Sequence, residues 1–289
     1  MNGQPLPSPQ QSGFATFPPP WGDRTYVMGI LNVTPDSFSD GGQFDSLDRA
    51  IAQAQHLQSG GIDILDIGGQ STRPGAEIIS LQAELDRVIP VIQALRSAEI
   101  RLPISVDTTR AAVAAEALEN GAHWINDISG GSYDPEIFAV AAQYQAPIVL
   151  MHLRGTPATM QSLTDYGDFW GEIRHFLQTQ AEQALAAGVQ NDRIILDPGI
   201  GFAKTAQQNI ELFTNLSYFK KLGYPLLVGP SRKSFIGHIL TEPNPQKRVW
   251  GTAAACCKAI EQGADLLRVH DPEMVQVCRV ADALWRSVS

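Results

Sequence analysis

Eight short apolar runs, each ended by polar residues and each followed by a longer amphipathic stretch, set the strongest limit on what this chain can fold into. The runs are YVMGILN (26–32), IDILDIG (62–68), PISVD (103–107), HWINDI (123–128), PIVLMH (147–152), RIILD (193–197), PLLVG (225–229) and LLRVH (266–270). They are rich in β-branched residues and lack a clean polar alternation, the pattern of parallel strands covered by helices. The stretches between them read as helices. LDRAIAQAQHLQSGG puts Leu47, Ile51, Ala54 and Leu57 on one face and stops at glycine. FWGEIRHFLQTQAEQALAAG places Phe169, Ile173, Phe176 and Leu185 on one stripe. In LQAELDRVIPVIQALRSA, the central Pro90 is expected to kink or break the helix. Strict alternation leaves an open doubly wound sheet or a closed barrel. Eight repeats within residues 25–289 favour a single (β/α)8 TIM barrel, an α/β fold with its active site at the C-terminal ends of the strands. No G-x-G-x-x-G turn follows the first two strands, which argues against a dinucleotide-binding sheet.

Composition narrows the function. A chain of 289 residues buries most of its apolar surface without a staple, and 44% hydrophobic with 18% charged residues reads as globular. The formal net charge of −9 argues against nucleic acid as a partner. An acidic chain binds an anion only through a local cluster of cations and N–H groups. No apolar run reaches the roughly 20 residues of a membrane span. Cys256, Cys257 and Cys278 form no C-x-x-C pair and read as reduced structural thiols in a cytoplasmic protein. Residues 1–24, rich in Pro and Gln, have no signal-peptide pattern and read as a flexible leader ahead of one domain, 25–289.

In such a barrel all eight strand ends face one mouth. They supply Asn32, Asp66, Asp107, Asn126 with Asp127, His152, Asp197, the Ser231–Lys233 triplet, and Arg268 with His270. Taken singly, most of these read as caps or turns; eight together on one face point to chemistry. The loop GGQSTRPG brings Ser71, Thr72 and Arg73, suited to phosphate oxygens, and DPGIGFAK brings Phe202 and Lys204. Arg73, Lys204, Arg232, Lys233, Arg268 and His270 form the expected cationic cluster. Asp107, Asn126 and Asp197 suit the N–H and NH2 edge of a planar heterocycle, whose carbonyl Lys233 would meet. A metal site is the competing reading of the oxygen-bearing residues: Asn32 suits Mg2+ shared with a diphosphate, whereas the spacing of His and Cys does not suit zinc. Neither a G-x-S-x-G elbow nor a Ser/His/Asp triad is evident.

GILNVTPDSFSDGG, DIGGQSTRPG, SVDTTR, INDISGG, DPGIGFAK, GPSRKS and LRVHD, in that order, resemble the successive signatures of the dihydropteroate synthase family over about residues 25–289. The resemblance implies a TIM barrel that condenses 6-hydroxymethyl-7,8-dihydropterin diphosphate with 4-aminobenzoate in folate biosynthesis, with Mg2+ as cofactor and a homodimer as the assembly. It implies that Asp107, Asn126, Asp197 and Lys233 bind the pterin, flanked by Ile128 and Met151. Asn32, Arg268 and His270 would hold the diphosphate, with Asn32 near the metal. Thr72, Arg73, Phe202 and Lys233 would border the 4-aminobenzoate site, and Asp36 and Phe38 would act from the first loop, Phe38 as part of a lid. Lys233, Asp107, Arg73, Asp36 and Phe38 are the residues expected to bear on catalysis. The departures are Gln70, where many members carry Glu, Ala203, where Gly is common, and Pro272 and Glu273 after the His270–Asp271 pair. Two alternatives stay open: a pterin-binding methyltransferase, which would not need the diphosphate loops, and a non-catalytic scaffold homologue, which would have lost them.

Overall fold

The structure, a computed structural model, describes residues 19–34, 43–73 and 75–285. Among them, strands and helices alternate: β1 Tyr26–Asn32, α1 Gln43–Ser59, β2 Ile64–Gly68, α2 Leu81–Ser97, β3 Ile104–Asp107, α3 Ala111–Glu119, β4 Trp124–Asp127, α4 Glu136–Tyr144, β5 Ile148–Met151, α5 Phe169–Ala186, β6 Ile194–Asp197, α6 Ala206–Thr214, α7 Ser217–Lys220, β7 Leu227–Val228, α8 Ser234–Leu240, α9 Val249–Glu261, β8 Leu266–Val269 and α10 Met274–Trp285. Every strand pairing is parallel, in the order β6-β5-β4-β3-β2-β1-β8-β7, and a Leu196–Leu226 bridge brings the two edges together. The eight runs are thus the eight staves of a barrel.

Two apolar layers follow from the two-residue period of a strand. Tyr26, Met28, Ile64, Trp124, Val149, Ile195, Leu227 and Leu266 form one cluster, the packed floor inside the barrel. A larger cluster, including Ile67, Val106, Ile125, Leu150 and Leu196, lies between strands and helices. Trp21 joins the floor, edge-on to Tyr26 at 5.7 Å and to Trp124 at 6.1 Å, so the chain is packed ahead of the first strand. Residues 1–18, most of the expected leader, lie outside the described residues.

The break that Pro90 offered in α2 and the expected stripe of α5 are corrected. α2 runs unbroken through Pro90, because Val88, Val91, Ile92 and Leu95 bury the face around it, and tertiary packing outweighs the missing N–H. In α5 the buried face is Ile173, Leu177, Gln180, Ala181 and Ala184, while Leu185 is 39% exposed. The stripe drifts because Phe176 and Leu185 are nine positions apart, half a turn out of phase for a 3.6-residue period.

Candidate active site

Parity decides which polar residues reach the barrel mouth. From the floor residues Ile64, Trp124, Ile195 and Leu266, steps of two lead inward to Asp66, Asn126, Asp197 and Arg268. Ser105 and Asp107 share this side, since Ile104 and Val106 belong to the outer cluster. Asp127 and His152 have the opposite parity, which corrects their placement at the mouth. Asp127 instead accepts from the N–H groups of Ser129 and Gly131, at 2.7 and 2.6 Å, and shapes the turn after β4.

Asp66 also differs from expectation. It lies a layer below Asp107 and is wholly buried, an anchor and not a rim group. Its Oδ2 accepts from Arg268 Nε at 2.6 Å and from Asn126 Nδ2 at 3.0 Å. Arg268 Nη2 donates to Asp107 Oδ2 at 2.8 Å. The guanidinium is therefore pinned between two carboxylates, and the Asn126 amide is oriented with its N–H toward Asp66. Burial opposes the charge on Arg268, but Asp66 and Asp107 outweigh it and raise its pKa. Burial raises the pKa of Asp107, with Arg268 pulling the other way. Asp197 is raised by burial too, against the Gly199 N–H at 2.7 Å and the charge of Lys233.

The β6 loop forms one wall. Ile128, Met151, Leu153, Met160, Phe202 and Ala203 make an apolar cluster at this end, and Lys233 Nζ stands 4.1 Å from the centroid of the Phe202 ring, a cation–π contact. Burial lowers the pKa of Lys233, partly offset by Asp197. Two glycines make the fit: a Cβ on Gly199 (φ +75°) would fall 2.0 Å from the His152 carbonyl oxygen, and one on Gly201 (φ +84°) would fall 2.9 Å from Lys233 Cδ. Ala203 adopts φ +49°, the left-handed region in which glycine is free, which explains why glycine suits that position.

Three members of the expected cationic cluster do other work. Lys204 is 3% exposed and donates to His152 Nδ1 at 3.0 Å and to the carbonyls of Gly199 and Phe202 at 3.1 and 2.9 Å; burial takes its pKa down to about 7. It knits the loop from behind. Arg232 forms a two-pronged ion pair with Asp271. His270 is not a cation: burial, then the charges of Arg232, Arg268, Lys233 and Arg73, press its pKa down to about 3. Its backbone N–H and Nδ1 both meet Ser231 Oγ, at 3.2 and 2.9 Å. Ser231 Oγ accepts the backbone N–H and bonds Nδ1 of the neutral ring, which fixes the orientation of the imidazole.

Asn32 ends β1 half-exposed, and Thr72 and Arg73 lie on the loop after β2, with Arg73 exposed and its charge felt at His270. Gln70 ties that loop: its Oε1 accepts from Ile79 N at 2.9 Å and its Nε2 donates to Glu77 O at 2.7 Å. Asp36 and Phe38 lie outside the described residues. Sequence reasoning missed Leu153 and Met160, whose segment carries no periodic signal, and the supporting roles of Asp66 and Ser231, which only their hydrogen-bond partners reveal.

Known proteins resemble this chain in sequence and fold. Residues 28–270 match the pterin binding enzyme family. The dihydropteroate synthase of Synechocystis sp. is 64% identical over 280 residues, covering 93% of this chain and 96% of the relative. The chain belongs to the dihydropteroate synthase family. Its activity is that of a transferase in folate biosynthesis. A family member from Clostridium difficile, solved in the presence of pteroic acid, superposes with a TM-score of 0.87 at 45% identity, over 92% of this chain and 98% of that one. A Xanthomonas albilineans member with 4-aminobenzoic acid gives 0.84 at 42%, over 91% and 93%. The seven motifs and the barrel they implied are borne out.

Proposed function

We propose that the mouth binds 6-hydroxymethyl-7,8-dihydropterin diphosphate and 4-aminobenzoate and joins them as 7,8-dihydropteroate. The observation that carries this reading is the convergence of Asp107, Asn126, Asp197 and Lys233 on one apolar pocket of Ile128, Met151 and Phe202. Asp197, Asp107 and the outward end of the Asn126 amide take the donor edge of the pterin, and the Lys233 ammonium takes its carbonyl. Arg268, with Nε and Nη2 held by carboxylates, offers Nη1 to a phosphate oxygen, and neutral His270, in the tautomer with its proton on Nε2, donates from that nitrogen. Thr72 and Arg73 border the aminobenzoate.

In the reaction the aniline nitrogen attacks the pterin methylene, the C–O bond to diphosphate breaks, and a proton leaves the amine. The electron-rich ring stabilises the carbon as the bond breaks, so no protein nucleophile is required. What the chain supplies is alignment and charge where the leaving group develops it.

Mg2+ is the cofactor we assign. Among the described residues no group of three or more His, Cys, Asp or Glu side chains is placed to cage a metal. A hard cation bound chiefly by diphosphate oxygens fits this donor set, and the Asn32 amide oxygen is the ligand we expect from the chain. When bound, it supplies charge neutralisation on the diphosphate.

The assembly we propose is a homodimer through the last helices, where Ile239, Leu240, Trp250, Val280 and Leu284 are exposed, Trp250 by 85%. That extent of apolar surface favours a partner. We place the enzyme in the cytoplasm; its three cysteines are free thiols, and no helix among the described residues is long and apolar enough to cross a membrane. The purified chain, given pterin diphosphate, 4-aminobenzoate and Mg2+, should yield dihydropteroate and diphosphate, and chelation of Mg2+ should stop it. No dihydropteroate under these conditions would reject the reading.

A further inference from the structure

Lys233 stands at a loop whose backbone is strained. The residue before it, Arg232, holds φ +59°, left-handed and not glycine. Such a conformation persists where the surroundings over-determine it. Here they do so from three sides. Thr252 Oγ1 accepts from Arg232 N at 3.0 Å, and Asp271 pairs with the Arg232 side chain. The third hold is Arg248. The residue is 9% exposed, and the bonds of its guanidinium run to backbone carbonyls: Nη1 to Arg232 O at 3.0 Å and Lys233 O at 3.4 Å, Nε to Glu242 O at 3.0 Å, and Nη2 to Pro243 O at 2.9 Å. The guanidinium lies flat against Gly237 of α8, where a Cβ would come within 2.5 Å of Cζ. A planar fork of donors matches carbonyls from two chain segments at once, which a lysine ammonium cannot do.

We propose that Arg248 is a positioning residue for catalysis, its guanidinium fixing the backbone from which Lys233 reaches the pterin. The inference rests on the assignment of Lys233 to the pterin site. Arg248 touches no substrate; it acts through the carbonyls of Arg232 and Lys233. Loss of the fork frees the loop to relax from its left-handed residue and carries the Lys233 ammonium off Phe202 and away from Asp197 and Asp107.

The test compares Arg248→Ala, Gly237→Ala and Lys233→Met with the unaltered chain in the full reaction, with thermal midpoints taken in parallel. Gly237→Ala keeps the arginine but drives its guanidinium off its carbonyls, and alanine favours the helix in which it sits. A misplacement on the order of 1 Å lowers rate by about a hundredfold, so kcat/KM for the pterin diphosphate should fall by about that factor in both. Added guanidinium ion should restore part of the loss in Arg248→Ala and none in Lys233→Met. The alkaline limb of the pH profile should move to higher pH in both, as Lys233, faced by Asp197, Asp107 and Arg268, gains solvent. A folded Gly237→Ala or Arg248→Ala with unchanged kcat/KM and pH limb overturns the proposal, as does a loss in Arg248→Ala that guanidinium leaves untouched. If Arg248→Ala does not fold, Gly237→Ala decides alone. Full turnover by Lys233→Met would remove the site assignment itself, a result separable from either arginine outcome.

Discussion

Asp197 has its carboxylate buried, with one backbone N–H and two nearby ammonium groups for company. Its folded pKa is raised, so its share of stability is present at low pH and is lost as pH rises through the folded value. Asp197→Asn keeps an acceptor for Gly199 N and has no charge to bury. We expect it to lose synthesis yet gain in thermal midpoint over the unaltered chain, by a margin that widens from acid to neutral pH; a margin that shrinks with pH would contradict this assignment of cause. Synthesis itself should rise with pH as Asp197 ionises and fall as Lys233, whose pKa is lowered, loses its proton. Residue types and strand endings made Asp107, Asn126, Asp197, Lys233 and Arg268 legible in the sequence. The proximity of Lys204 to the mouth was legible too, but not its burial, because its partners are backbone carbonyls that no residue type announces. His270 reads as a cation by composition and is neutral because it is buried and four positive charges surround it.

At the scale of elements, the eight strands were legible because each run is apolar and ends in turn chemistry. β7 is the marginal case, two residues long, and it closes the barrel through the neighbouring Leu196–Leu226 bridge. What the runs did not tell apart was inside from outside, since both faces of a parallel strand are apolar. That is why Asp127 and His152, which lie on the outer face of their strands, were assigned to the mouth and belong elsewhere. The floor is built from large side chains, with Trp124 fully buried against Trp21. Trp124→Ala should therefore cost about 3–5 kcal/mol in urea unfolding. Because the floor lies below the Asp66–Arg268 layer, the KM values of the fraction that folds should stay near those of the unaltered chain. A loss under about 1 kcal/mol would mean that the floor is not the packed core described.

For the whole molecule, barrel and family were legible together, since ordered motifs at strand ends encode both. The proposed dimer rests on the resemblance, and the exposed side chains of α8, α9 and α10 are the physical argument for it. In solution the protein should have twice the 31.3 kDa mass of one chain, and Trp250→Glu should drive it toward the monomer. A monomeric mass for the unaltered chain would reject the dimer. The account's central claim, that Asp197 and Lys233 hold the pterin at the mouth of this barrel, is tested most directly by measuring dihydropteroate formation by purified Lys233→Ala and Asp197→Ala with both substrates and Mg2+. The account predicts that synthesis is abolished while far-ultraviolet circular dichroism remains that of the unaltered barrel; normal turnover by either folded variant would contradict it.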